Sequence, residues 1–109
     1  MAQGRDSYRR MFARHGMPAT LVRLGTPNTE VSIHVVRRYS EEEQVVREIS
    51  QYDARFTLRH EEVESSGFPL PIKKGDRIIK AGEYFTIRLS RPLESHGEVI
   101  GYEVRAIGG

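Results

Sequence analysis

Cysteine is absent from this sequence of 109 residues, which excludes disulfide bridges and thiolate zinc sites. Long apolar runs are absent too, since no segment approaches the ~18 apolar residues of a membrane-spanning helix. The opening MAQGRDSYRR lacks the apolar core of a signal peptide. We therefore expect a protein that acts in a cytoplasm without a membrane partner. Its fold must depend on packing and strand pairing alone.

Motifs of catalysis and metal binding are equally scarce. None of the four histidines has a second His or Cys at a metal-ligand spacing. His60 stands beside Glu61, Glu62 and Glu64 in RHEEVE, but this cluster follows a strand pattern, and we interpret it as the exposed end of that strand. No serine lies in a nucleophile elbow, and KKGD lacks the full phosphate-loop spacing. The sequence thus predicts no catalytic residue, no cofactor and no metal site, and hence a protein that is not an enzyme.

The first feature that is present is a helical arm over residues 1–16 of a single domain spanning residues 1–109. Tyr8, Met11 and Phe12 recur at helical spacings and form one apolar stripe. A helix this short is unstable alone. Its stripe must therefore pack on the body of this protein or on a neighbour.

Strand patterns fill most of residues 17–107. Apolar residues alternate in ATLVRLG, EVSIHVVRR and ARFTLRH, and a further hairpin is predicted in IKKGDRIIKAGEYFTIRLS, where Ala-Gly separates two apolar runs. Phe85, Ile87 and Leu89 share the inward face of its second strand, RPLESHGE forms a turn-rich connection, and Tyr102 faces inward in a last strand. About six strands without long intervening helices predict an all-β fold, a small antiparallel β-barrel or sandwich with a short N-terminal helix.

Residues 39–53, YSEEEQVVREISQYD, interrupt this pattern and are predicted to form a long loop, with one helical turn capped by Ser40 as the alternative. Long loops in small domains often carry contacts. Glu41, Glu42 and Glu43 are therefore candidates to meet a basic partner.

Charge is distributed unevenly along the chain. Residues 1–38 carry seven arginines against two acidic residues, a net charge of +5, whereas the remainder carries ten basic against thirteen acidic residues, a net charge of −3. Such a chain can dock against copies of itself, or present its basic end to an acidic partner or a phosphate backbone.

Residues 54–106 contain an ordered set of short motifs. The set comprises the strand ARFTLRHEEV, a proline-containing connection, Lys74-Gly75-Asp76, two apolar residues, Gly82-Glu83 and the strand Phe85-Thr86-Ile87. This order resembles the head-tail joining proteins of lambda-type tailed bacteriophages. The resemblance implies a small β-barrel or sandwich whose copies form a ring, as a hexamer or dodecamer, in the neck of the virion.

The same resemblance implies the partners. They are further copies of the chain, a portal or head-completion protein, and a tail tube or tail terminator protein, with assembly in the host cytoplasm and incidental contact with DNA. The predicted protein-interface residues are Arg9, Arg10, Met11, Phe12 and Arg14 of the arm and Glu41, Glu42 and Glu43 of the loop.

An alternative from another class is a small OB-like or SH3-like nucleic-acid-binding module. It would contact phosphates through Arg5, Arg9, Arg10 and Arg14. Binding of that kind weakens steeply as salt is added.

Overall fold

Six antiparallel strands of the described chain close into a barrel, and the N-terminal helix packs on its outside. This computed structural model describes residues 3–38 and 52–108. The expected all-β fold with a short N-terminal helix is confirmed, and it takes the form of a closed barrel. Its elements are α1 (Gln3–His15), β1 (Met17–Arg23), β2 (Thr29–Arg38), β3 (Tyr52–Arg59), α2 (His60–Ser65), β4 (Arg77–Lys80), β5 (Glu83–Ser95) and β6 (Glu98–Gly108).

The barrel consists of two meanders, β1-β2-β3 and β4-β5-β6, joined along both edges. β3 pairs with β6, and β1 pairs with β4. Both predicted hairpins form: β1 turns back into β2, and β4 turns back into β5 through a tight connection in which Gly82 has a φ of 82°. Glycine adopts this left-handed conformation without a steric penalty. The glycine of the Ala-Gly pair is therefore explained by the backbone conformation that this turn requires.

Inward side chains fill the barrel. Phe56 of β3 and Phe85 of β5 meet edge to face with 5.0 Å between ring centroids, and both are fully buried. Burial of a side chain of this size stabilises the fold by about 2 kcal/mol. Further fully buried residues come from every part of the barrel: Leu21, Ile33, Val35, Leu58, Ile78, Ile87 and Val104. The interior is therefore a packed core.

One end of the barrel is closed by α2 and the segment that follows it. Val63 of α2, Phe68 and Ile72 are all buried in the core cluster. Here a sequence-based prediction is wrong: RHEEVE is not an exposed strand end that runs into a turn, because His60–Ser65 forms a helix that places Val63 under the barrel. A single apolar residue in a charged segment was too weak a pattern to indicate it.

Arg23 and Asp76 tie β1 to this closed end. Arg23 donates from Nε and Nη2 to the two carboxylate oxygens of Asp76, at 3.0 and 2.8 Å. The carboxylate also accepts the Lys73 backbone N–H at 2.8 Å, and the guanidinium lies 4.9 Å above the centroid of Phe68. These contacts fix the turn that precedes β4.

α1 lies across the outer faces of β2, β3 and β6. Phe12 is buried, and the Tyr8 ring sits against Gly101, where any side chain would overlap it. Val36 and Thr57, which lie on outward-facing strand positions, are buried too. The apolar stripe of the arm therefore packs on the barrel of its own chain.

Three further local predictions need correction. Leu89 is 56% exposed rather than buried, because a bulge between Ile87 and Leu89 shifts the register of β5. The segment predicted as a turn-rich connection continues β5 through Ser95, and only His96 and Gly97 form the turn. β3 begins at Tyr52, inside the predicted loop 39–53, and residues 39–51 lie outside the described residues.

Candidate functional site

The outward side of α1 presents part of the predicted interface. Arg10 and Arg14 are exposed and Met11 is half-buried. Together with His15 they line an open depression of about 260 Å³. Arg10 also contacts Ser7 through a long hydrogen bond of 3.4 Å. Cationic groups around a polarisable thioether suit a protein surface that is acidic and partly apolar.

Arg9 and Phe12, which were predicted for the same interface, contact their own chain. Arg9 donates from Nε and Nη2 to the carboxylate of Glu61 at 3.1 and 2.5 Å, and from Nη1 to Asp6 at 3.2 Å. The hydrogen bond with Glu61 raises the pKa of the Arg9 guanidinium. Arg9 therefore joins α1 to α2, while Phe12 is buried. The predicted glutamates at positions 41–43 lie outside the described residues, as does the side chain of Arg5.

His60, the histidine of the RHEEVE cluster, is the first residue of α2. Its Nδ1 lies 2.6 Å from the hydroxyl of Tyr102, and its Nε2 lies 3.7 Å from Glu64. Burial, with a smaller contribution from Glu64, raises the pKa of the Tyr102 phenol. The contacts place His60 between α2 and β6 as a structural group.

The other two glutamates of α2 have structural partners as well. Glu62 accepts the His34 backbone N–H at 2.8 Å and lies 2.8 Å from His34 Nδ1, and Glu61 is the partner of Arg9. Across residues 3–38 and 52–108, no group of three His, Cys, Asp or Glu side chains is placed to hold a metal ion. The carboxylates of α2 instead hold this helix to α1 and β2.

Residues 88–100 of β5 and β6 are here called the β5–β6 ribbon. They carry β5 past the end of its pairing with β4, and their tip, residues 94–100, extends beyond the last pairing of β6 with β3. β6 pairs with β3 only from Gly101 onward, whereas β5 and β6 remain paired as far as Ser95 and Glu98. On its other side β5 pairs with β4 up to Thr86. Ile87 then forms two backbone hydrogen bonds with Gly75 and Asp76, which lie in the turn before β4. Beyond Ile87, no strand within the described ranges pairs with that edge of β5.

Three arginines form a row across the outer face of the barrel. Arg38 of β2 is opposite Arg55 of β3, and Arg55 is opposite Arg105 of β6. All three are exposed. Adjacent strands lie about 4.8 Å apart, so this arginine row spans about 10 Å. None of the three was predicted as a site residue, because the row exists only once β3 is paired with both neighbours.

The arginine row continues into an open depression of about 240 Å³. Leu89 of β5 is opposite Arg105 and lies at the rim. The same depression is lined by Arg91 and Glu103, which form an ion pair across β5 and β6. The charged residues that line this depression are therefore three arginines and one glutamate.

No family model and no curated protein matches this sequence. No helix within residues 3–38 and 52–108 is long and apolar enough to cross a membrane. The function of the protein must therefore be inferred from the α1 surface, the arginine row and the β5–β6 ribbon.

Proposed function

We propose that this protein is a structural subunit that joins the head of a tailed bacteriophage to its tail, and that its copies form a ring in the neck of the virion. The observation that carries the proposal is the β5–β6 ribbon, which leaves the barrel with one edge unpaired among the described strands. An unpaired edge is a template for strand addition from another chain. The ribbon is therefore the element best suited to reach a neighbouring subunit.

Two surfaces of opposite charge support a head-to-tail contact between copies. The outward side of α1 offers Arg10, Met11 and Arg14, and the tip of the ribbon carries the exposed carboxylates Glu94 and Glu98. A contact between two different surfaces of the same chain generates a ring when the rotation closes. In this arrangement the ribbon of one subunit reaches α1 of the next.

The order of motifs in residues 54–106 supports the choice of partners. The ring would be a hexamer or dodecamer located in the virion neck, after assembly in the host cytoplasm. A portal or head-completion protein would bind one face, and a tail tube or tail terminator protein would bind the other. Glu41, Glu42 and Glu43 remain candidates for a basic surface on one of these partners.

The assembly contact can be tested by reversing charge on α1. The double variant Arg10→Glu/Arg14→Glu should form no rings in electron microscopy of the purified protein mixed with portal-bearing heads. When it replaces the wild-type chain in infected cells, the yield of tailed particles should fall at least tenfold. Ring formation should return when this variant is combined with Glu94→Lys/Glu98→Lys, because the second pair restores opposite charges across the contact.

A matched control is Lys73→Glu/Lys74→Glu, which changes the net charge by the same amount at exposed positions outside both surfaces. This control should assemble like the wild-type protein. Normal rings from the α1 variant would contradict the assigned contact. Tailed particles at normal yield in cells that lack the protein would contradict the joining role itself.

A further inference from the structure

The two helices cover one half of the outside of the barrel. α1 lies across β2, β3 and β6, and α2 packs mainly against the same three strands. In the closed strand order, β5, β4 and β1 form the other half. Among the described residues, neither helix packs to a comparable extent on the outer face of that half.

This uncovered half carries a row of uncharged side chains. Thr20 of β1 is opposite Ile79 of β4, and Ile79 is opposite Tyr84 of β5. All three point outward, since the adjacent residue in each strand is fully buried in the core. Tyr84 is 58% exposed. An exposed tyrosine beside an isoleucine is typical of the centre of a protein interface, which is enriched in aromatic residues and depleted of charge.

Charge is nearly absent around this row. The outward positions within residues 18–22, 77–79 and 84–86 include one charged residue, Arg77. The α1 surface, by contrast, carries cations, and the tip of the β5–β6 ribbon carries carboxylates. The uncharged surface is here called the tyrosine face, and it consists of Pro18, Thr20, Ile79, Tyr84 and Thr86.

A second copy of the chain is the partner that suits this face. Two copies of the α1 surface, or of the ribbon tip, would bring like charges together, whereas two copies of the tyrosine face meet through uncharged groups. The hydroxyl groups of Thr20, Tyr84 and Thr86 can each donate and accept a hydrogen bond, so a hydroxyl can pair with its own counterpart. A contact between two identical surfaces needs this self-complementarity.

We infer that the tyrosine face joins two copies of this protein about a two-fold axis. The face measures about 10 Å across its three strands and about 13 Å along them, which is small beside the ~800 Å² per partner of a standard interface. The dimer should therefore be weak, with a dissociation constant above about 1 μM. The contact lies on the side of the barrel opposite α1 and does not depend on the proposed role in head-tail joining.

Sedimentation velocity of the purified protein tests the contact. Between about 10 μM and about 1 mM, the sedimentation coefficient of the wild-type protein should rise with concentration. Tyr84→Lys places a like charge on both copies and should weaken the association at least about tenfold. In amide NMR spectra recorded over the same range, the signals of Thr20, Ile79 and Tyr84 should shift on dilution.

The matched control is Leu89→Lys. Leu89 lies further along the same strand, outside the tyrosine face, and is 56% exposed against 58% for Tyr84. This control should associate like the wild-type protein. Arg10→Glu/Arg14→Glu should also dimerise, so a failure of this inference is distinguishable from a failure of the proposed ring contact. Circular dichroism of every variant checks that the barrel is intact.

Three outcomes would overturn the inference. The first is a wild-type protein that remains monomeric at about 1 mM. The second is self-association that Tyr84→Lys leaves unchanged, or that shifts the amide signals of α1 or the ribbon in place of those of the tyrosine face. The third is a monomeric protein that loses binding to portal-bearing heads through Tyr84→Lys, which would identify the face as a surface for a different protein.

Discussion

Arginine serves opposite purposes in two regions of this barrel. At the closed end, Arg23 makes a two-point contact with Asp76, a carboxylate that is only 4% exposed, and the hydrogen bond to Asp76 raises the pKa of the guanidinium. On the outer face, Arg55 stands between two further exposed arginines. The first arrangement stabilises the fold, and the second destabilises it. The same residue type therefore makes an ion pair in one region and stands among like charges in the other.

The largest expected effect comes from breaking the structural pair. Asp76→Ala leaves Arg23 without its carboxylate and the Lys73 N–H without its acceptor. We expect the free energy of unfolding to fall by about 3 kcal/mol, since removal of one partner of a buried ion pair leaves an uncompensated charge. Denaturation in urea measures this loss.

The control for that change is Glu30→Ala, which removes an exposed carboxylate and should alter the free energy of unfolding by less than about 0.5 kcal/mol. If Asp76→Ala lowers the free energy of unfolding by no more than Glu30→Ala does, the ion pair of Arg23 with Asp76 does not stabilise the fold.

A second substitution tests the packing of α1 on the barrel at Gly101. A Cβ atom at position 101 would overlap the Tyr8 ring and lie 2.7 Å from the Leu58 carbonyl oxygen. Gly101→Ala should therefore lower the free energy of unfolding by about 2 kcal/mol, because overpacking forces α1 and the backbone apart. Thermal unfolding followed by circular dichroism measures this effect. In a Tyr8→Ala background, Gly101→Ala should lower the free energy of unfolding by a smaller amount. An equal loss in both backgrounds would show that the Tyr8 ring does not pack tightly against Gly101.

A smaller effect of opposite sign is expected within the arginine row. Arg55→Thr removes the central charge and places a residue that favours strands. We expect the free energy of unfolding to rise by about 0.5 kcal/mol at low salt, because a like-charge pair is relieved on each side. The gain should shrink as salt screens the repulsion. Destabilisation in urea titrations at low salt would show that Arg55 contributes to the fold.

The smallest effect concerns the alkaline limit of stability. Burial raises the pKa of Tyr8 above its ordinary value of 10.0; Arg38 opposes this shift and Glu103 adds to it. A group whose pKa is raised in the folded state contributes stability below its unfolded pKa and loses it as the pH rises through the folded pKa. The wild-type protein should therefore lose more stability than Tyr8→Phe above pH 10. Parallel pH profiles of the melting temperature would contradict this assignment.

Local patterns were sufficient to predict the strands and both hairpins. Alternation placed Phe85 and Tyr102 inside, and both are buried. Such a pattern depends only on neighbouring positions in the chain, since side chains alternate between the two faces of a strand. The fold class follows from these local signals.

Features that depend on pairing between distant segments were not predictable. The bulge that exposes Leu89 arises from the register of β5 against β6. The arginine row requires β3 to pair with β6, and nothing in the local sequence of Arg55 or Arg105 specifies that partner. α2 was missed because tertiary packing of Val63 stabilises a helix that its charged sequence does not indicate. The candidate site is therefore a product of topology.

We propose that copies of this barrel form a ring between a phage head and tail through the β5–β6 ribbon and α1. Electron microscopy of the purified protein mixed with portal-bearing heads tests it most directly. We expect rings on the portal in which the ribbon of one subunit contacts Arg10 and Arg14 of the next. Protein that stays unbound and monodisperse, at concentrations where tails join wild-type heads, would contradict it.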